Sequence, residues 1–324
     1  MKLHMKAWFL AVGSLMIVAT AAFADDYPTR TVKLLVAYAP GGAPDIVARI
    51  VGQRLSQMLK QSFIVDNRPG AGGMLAAKQT TKEAADGYTL LIADNGQLAI
   101  APYIYKEVPY DPIKDFTPIG LAVVGPMVLM SNAKTTKIKT LADLINQAKA
   151  SPGTMNYGSS GIGSIHHIAM EVFCNEAGIV LTHVPYKGGG QSVPALLGGQ
   201  VQLGLAGFPL AAPYSKSGQV NLLAVTSAKR LPEAPDVPAL SEFYKGYDYA
   251  FELGFVAPAG LSPEIVAKLS GAIKNALNDP EIKEKLNSLG LIPTWLSAQD
   301  YGENIRQNLK KYRHGVEVAH ITPN

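Results

Sequence analysis

With 324 residues, a formal charge of +4 and a single cysteine, Cys174, this chain is too weakly and too diffusely basic to argue for nucleic acid. It cannot close an internal disulfide or build a cysteine metal site, so its stability must come from packing. Lys2 and Lys6, the apolar run from Trp8 to Ala19, and Ala22-Phe23-Ala24 read as a secretory signal cleaved after Ala24. That segment holds no acid, so its removal lowers the charge to +2, and no later segment is apolar for long enough to serve as an anchor. The roughly 300 residues that remain exceed one ordinary core and imply two domains.

Val32, Leu34, Leu35, Val36 and Ala37 form a short apolar run suited to a buried strand. After Pro40-Gly41-Gly42 the period changes: Ile46, Val47, Ile50, Val51, Leu55, Met58 and Leu59 lie on one helical face, with Pro44 in the first turn. Ala43 precedes that proline where Ser, Thr, Asp or Asn is usual, which leaves the first N–H groups of the helix without a side-chain acceptor. A strand that ends in two glycines and opens an uncapped helix suits an anion, although a simple tight turn fits the same residues. Asp45 favours the helix dipole but repels a nearby anion, so the anion is expected on the Gly41-Gly42 side.

A second strand at 62–65, a glycine-rich loop from Asn67 to Gly73, a helix from Met74 to Ala84, a turn at Asp86-Gly87 and a third strand from Tyr88 to Ala93 follow, closed by Asp94-Asn95-Gly96-Gln97. The same order returns from residue 155: a strand into Ser159-Ser160-Gly161-Ile162-Gly163-Ser164, a helix through Ala177, a strand from Val180 to Pro185, the loop Tyr186-Lys187-Gly188-Gly189-Gly190, a helix about Val193 to Leu197, and a strand from Val201 to Ala206. The glycine loops are 29 residues apart in the first half, Gly41 to Gly70, and 27 in the second, Gly161 to Gly188. Two similar α/β lobes with right-handed crossovers explain this order, and all the loops then fall at the carboxyl ends of parallel strands, facing one cleft. Phe116 to Met130 suits a first crossover and Phe251 to Val256 the return. A strand at 219–226 and helices over 263–277, 280–289 and 298–318 complete the expectation.

In this order, YAPGGAPDIVAR, NRPGAGG, DGYTLL, NYGSSGIGSIHH, VPYKGGG, LLGGQVQL, LAVTSAKR and GFVAPAGLSPEIV resemble the Bug or TctC-like family of periplasmic solute receptors of tripartite tricarboxylate transporters. The match runs from Tyr27 past Gly260. The resemblance implies a type II periplasmic binding protein, with lobe 1 at 25–124 plus 253–324, lobe 2 at 125–252, two crossover strands, and a small organic carboxylate in the cleft. It implies a monomer in the periplasm, partnered by the membrane permease subunits of such a transporter, without cofactor or metal. Carried over residue by residue, the contacts are Tyr38, Gly41, Gly42, Ala43, Asp45, Asn95 and Gln97 in lobe 1, and Ser159, Ser160, Gly161, Gly163, Ser164 and His167 in lobe 2, with Tyr186 and Lys187 at the border. Many relatives carry an acid where this chain reads Leu205-Ala206-Gly207-Phe208. Its absence at Gly207 argues against an amino-acid ligand and leaves room for a bulkier or aromatic acid.

Enzyme readings fare worse. Ser159 and Ser160 lack the G-x-S-x-G elbow of a hydrolase, and Gly161-Ile162-Gly163-Ser164-Ile165-His166 departs from the dinucleotide fingerprint at its last position. His166 and His167 are adjacent and point about 100° apart on a helix, so they do not chelate as an i, i+4 pair would. Arg49 and Arg54 read as surface or interlobe residues, Lys187 equally as a solvated lysine, and Tyr38 equally as core. A carboxylate sensor for a two-component system is the competing non-enzymatic reading.

Overall fold

The computed structural model describes residues 27–318 and 321, so the expected signal peptide and its cleavage site lie outside the described residues. Strand β1 (Val32–Val36) is followed by α1 (Ala43–Leu59), β2 (Phe63–Asn67), α2 (Met74–Thr80), β3 (Thr89–Asp94), the short α3 (Ala101–Ile104) and the long β4 (Phe116–Gly125). Past Pro126 come β5 (Met127–Asn132), α4 (Leu141–Ala150), β6 (Asn156–Ser159), α5 (Ile165–Ala177), β7 (Thr182–Pro185), α6 (Gly189–Leu197), β8 (Leu203–Gly207), α7 (Phe208–Lys216) and β9 (Val220–Val225). The chain returns through β10 (Phe251–Pro258) and ends with α8 (Pro263–Asn278), α9 (Pro280–Ser288), β11 (Ile292–Leu296) and α10 (Ala298–Val318).

Two sheets result, ordered β11-β4-β10-β3-β1-β2 and β7-β6-β8-β5-β9. The expected repeat is present: β2-β1-β3 and β7-β6-β8 are each parallel, and each is joined on its third strand by an antiparallel strand, β10 or β5, that has arrived from the other sheet. Buried apolar runs explain the parallel cores: β3 is buried along its whole length, as are Leu34, Leu35 and Val36 of β1. The two crossovers lie side by side, with Phe251 paired to Gly125.

Four features depart from the expectation. The α4 and α7 helices and the edge strand β11 fall in stretches read without structure, and the helix after Gly73 stops at Thr80 instead of reaching Ala84. Helix α10 packs on β4, α8 and β11, and also against α5 of the second sheet. Cys174 is buried in the core, as its helical face implied. No helix among the described residues is long and apolar enough to cross a membrane.

Candidate functional site

The loop after β1 is built around Asp45. Its buried carboxylate accepts the Gly41 N–H (2.9 Å), two Arg49 nitrogens (3.1 and 2.9 Å) and Asn67 Nδ2 (3.0 Å). Burial works to raise its pKa, but the hydrogen bonds from Arg49, Gly41 and Asn67 outweigh it and hold the carboxyl below its usual range. Two expectations change accordingly: Asp45 and the Gly41 N–H shape the loop and are not open to a ligand. Gly42, not Ala43, is the N-cap, with no side-chain hydrogen bond at the cap, and Ala43 and Pro44 open the helix. The N–H groups of Gly42 and Ala43 are the donors this half-buried turn offers.

Beneath the loop lies a second network. The Tyr38 hydroxyl accepts from Gln97 Nε2 (3.0 Å) and is hydrogen-bonded to Asp94. Gln97 also donates to the Gly72 carbonyl (3.2 Å), its Oε1 accepts the Asp94 N–H (2.9 Å), and Gly96 N–H reaches Asp94 Oδ1 (2.7 Å). Burial raises the Asp94 carboxyl to about 6, against the lowering effect of the Tyr38 hydrogen bond and the Gly96 and Gln97 N–H groups. Asn95 turns away, with Oδ1 accepting the Glu252 N–H (2.7 Å) on β10. Gln97 and Asn95 are almost fully buried; both ends of the Gln97 amide are hydrogen-bonded, whereas Asn95 Nδ2 is a buried donor without a hydrogen-bond partner among the described residues.

In the second lobe, Ser159 Oγ accepts the Gly161 N–H (3.0 Å) and lies 2.6 Å from His183 Nε2, while Ser160 Oγ meets His166 Nδ1 at 2.8 Å. Ser164 caps α5 by accepting the His167 N–H (3.3 Å), and His167 Nδ1 accepts the Gly163 N–H (3.3 Å). The His183 ring is stacked between Tyr157 (4.9 Å) and His167 (4.1 Å), and the Tyr157 hydroxyl donates to Glu171. Burial depresses His166 to about 4, His183 to about 4 and, with a further effect of His183, His167 to about 3. All three rings are neutral at pH 7. A Ser159–His183 nucleophile has no carboxylate hydrogen-bonded to the imidazole among the described residues, and Ser159 is wholly buried, so the arrangement lacks the third member and the access of a hydrolytic triad.

Tyr186 packs beside Gly158 and Gly161, and the exposed Lys187 donates its backbone N–H to Gln191 (3.2 Å). Gly207 has ordinary dihedrals (φ −60°, ψ 142°), and a Cβ there would have only the Leu289 carbonyl, 3.8 Å away, as a neighbour. Arg49 and Arg54 pair with Asp45 and Asp279. The two lobes meet where Tyr105 donates to the Ile162 carbonyl (3.4 Å) and Ile104 seats against Gly163. Sequence reasoning missed Ile104, Tyr105, Tyr157 and His183. Tyr157 stands within NYGSSGIGSIHH but reads there as strand, Ile104, Tyr105 and His183 lie outside the glycine motifs, and only the pairing of β7 with β6 brings His183 to Ser159.

The site therefore offers backbone N–H groups, hydroxyls and neutral imidazoles to an anion, and Lys187 is the one cation among the candidates. Residues 47–319 match the family model described as "Tripartite tricarboxylate transporter family receptor". The chain is 34% identical to Protein BugT of Bordetella pertussis over 278 residues, 85% of each protein. Among solved structures, R. palustris Rpa4515 with adipate is 34% identical with a TM-score of 0.87, covering 92% of this chain and 100% of that one. MatC (Rpa3494) from Rhodopseudomonas palustris with bound malate is 28% identical with a TM-score of 0.82, covering 90% and 100%.

Proposed function

The chain belongs to the tripartite tricarboxylate transporter receptor family, and from that premise we propose that it captures a small organic carboxylate between its lobes in the periplasm and delivers it to the permease subunits of such a transporter. The observation that carries the reading is the uncapped turn at Gly42 and Ala43, set beside hydroxyls and neutral imidazoles, with Lys187 the one cation among the candidate groups. Two similar proteins are named with adipate and with malate. Gly42, Ala43, Ser160, Gly161, Tyr186 and Lys187 touch the acid in this reading. Asp45, Asn95, Gln97, Ser159, Gly163, Ser164 and His167 hold those groups in place, and Tyr38 stands over Asp94. Gly207 leaves room at the lobe junction.

A thermal-shift screen against aliphatic and aromatic mono- and dicarboxylates tests it. A ligand at a hundred times its dissociation constant stabilises by about 2.7 kcal/mol. Dicarboxylates of four to six carbons are expected to give the largest shifts. A flat response to every acid, with a clear response to an amine or a sugar, would remove the reading. Loss of uptake of the identified acid on deletion of the protein tests the transport step separately.

A further inference from the structure

The loop that joins β6 to α5 is the part of the second lobe that meets the first, through Tyr105 on the Ile162 carbonyl and Ile104 against Gly163. Two serines open it, and they differ. Ser159, at the end of β6, is wholly buried and its hydroxyl oxygen already accepts the Gly161 N–H. Ser160, the first residue of the loop, is half-buried, and its hydroxyl has a single partner among the described residues, His166 Nδ1 at 2.8 Å. His166 is the second residue of α5, half-buried, and its Nε2 has no hydrogen-bond partner among the described residues. Burial holds the ring at about 4, so at pH 7 it is neutral and carries one N–H. The partner of one ring nitrogen decides which of the two bears that proton, and here the only such partner in the protein is Ser160.

The two tautomers give Ser160 opposite characters. With the proton on Nε2, Nδ1 accepts the hydroxyl proton, and Ser160 has only lone pairs to turn toward an anion, which repel it. With the proton on Nδ1, the imidazole donates to Oγ and the hydroxyl proton is left for the acid; the incoming hydrogen bond also polarises the hydroxyl and strengthens the outgoing one. We infer that His166 is what makes Ser160 a donor: with a carboxylate bound, His166 Nδ1–H donates to Ser160 Oγ, and Ser160 in turn donates to the carboxylate. His166 is thus a positioning residue, which acts through Ser160 without touching the acid and without a charge of its own. Its neighbour His167 is committed elsewhere, to the Gly163 N–H. The inference rests on the carboxylate reading; the pairing of Ser160 with His166 does not.

The test is a two-bond proton–nitrogen correlation spectrum of histidine-labelled protein at pH 7, saturated with adipate or with whichever acid of the thermal screen stabilises it most. The His166 signals are assigned by their loss in His166→Asn, and Nδ1 is expected in its N–H form in the complex. Calorimetry supplies the second readout. His166→Leu should weaken acid binding about fivefold, whereas His166→Asn, whose amide reaches the Nδ1 position, should cost less than about twofold. In a Ser160→Ala background His166→Leu should have no further effect, because the hydroxyl it serves is gone. An unprotonated Nδ1 in the complex, or the same loss from His166→Leu with and without the Ser160 hydroxyl, would overturn the inference and leave the carboxylate reading standing. Failure of every acid to bind would remove both.

Discussion

Gly42 has a φ of −79°, which proline also adopts, so Gly42→Pro removes a donor at little backbone cost. Hydrogen bonds to charged groups contribute roughly 1.5–3 kcal/mol, so this variant should bind the acid at least about tenfold more weakly, whereas Lys187→Ala should change affinity less than about twofold. Calorimetry giving the opposite order would place the ligand charge on the lysine. Three histidines, His167 buried and His166 and His183 half-buried, set a pH dependence. Their folded pKa values are depressed below the ordinary 6.5, so the stability they contribute is present above 6.5 and lost as pH falls through about 4 and then 3. Asp94 acts in the opposite sense: raised to about 6, it contributes stability present below its ordinary 3.8 and lost as pH rises through 6. Each pKa unit corresponds to about 1.4 kcal/mol, so the histidines dominate and the melting temperature should fall steadily from pH 6.5 to 4. His167→Gln should flatten that fall; a slope equal to the parent's would mean the ring is already charged in the fold. At this scale the sequence disclosed the donors but not their use. Asp45, Asn95 and Gln97 are ligand-like polar residues in ligand-like loops, and only three-dimensional placement reveals that Asp45 is engaged by Arg49 and Gln97 by Tyr38, while Asn95 gives its oxygen to Glu252 and keeps an Nδ2 unpartnered among the described residues.

Ile104, the last residue of α3, and Gly163, in the loop before α5, meet between the lobes. A Cβ at Gly163 would lie 2.0 Å from Ile104 Cδ1, and its φ of +76° suits glycine independently. Gly163→Ala should therefore weaken acid binding about tenfold or more, because the lobes must part to admit the methyl group. Adding Ile104→Ala relieves the clash but not the dihedral, so calorimetry on the double variant should recover part of the affinity. No recovery would assign the whole effect to the backbone. Elements with a clean period were legible: β1, α1, β3, α5, α8 and α10 stand close to where their apolar spacing put them. Those missed had competing signals. Helix α7 contains an internal proline, Pro213, and reads as loop, while β11 is a short edge strand around Pro293. Helix α4 was readable, since Thr140 and Asp143 form a capping box, but it lies outside the repeated unit that organised the reading.

Across the whole molecule the repeat was the most informative signal, because two copies of strand, glycine loop and helix leave few ways to assemble parallel sheets. What the repeat did not convey is that α10 spans both copies, since a helix at the end of a chain carries no mark of which neighbours it will meet. With half of the candidate groups on each sheet, an acid that saturates the protein should hold the lobes together, and X-ray scattering should give a smaller radius of gyration than for the protein stripped of ligand. Equal radii for a verified empty sample and a saturated one would argue for a rigid pocket. The pairing of Phe251 with Gly125 limits how such a movement can proceed. Two tethers bonded to each other behave as one ribbon, and a ribbon folds easily about its width but resists being wrung. The lobes should thus swing like the covers of a book along a single path, and every acid that fits will have entered through the same fore-edge, whatever its length.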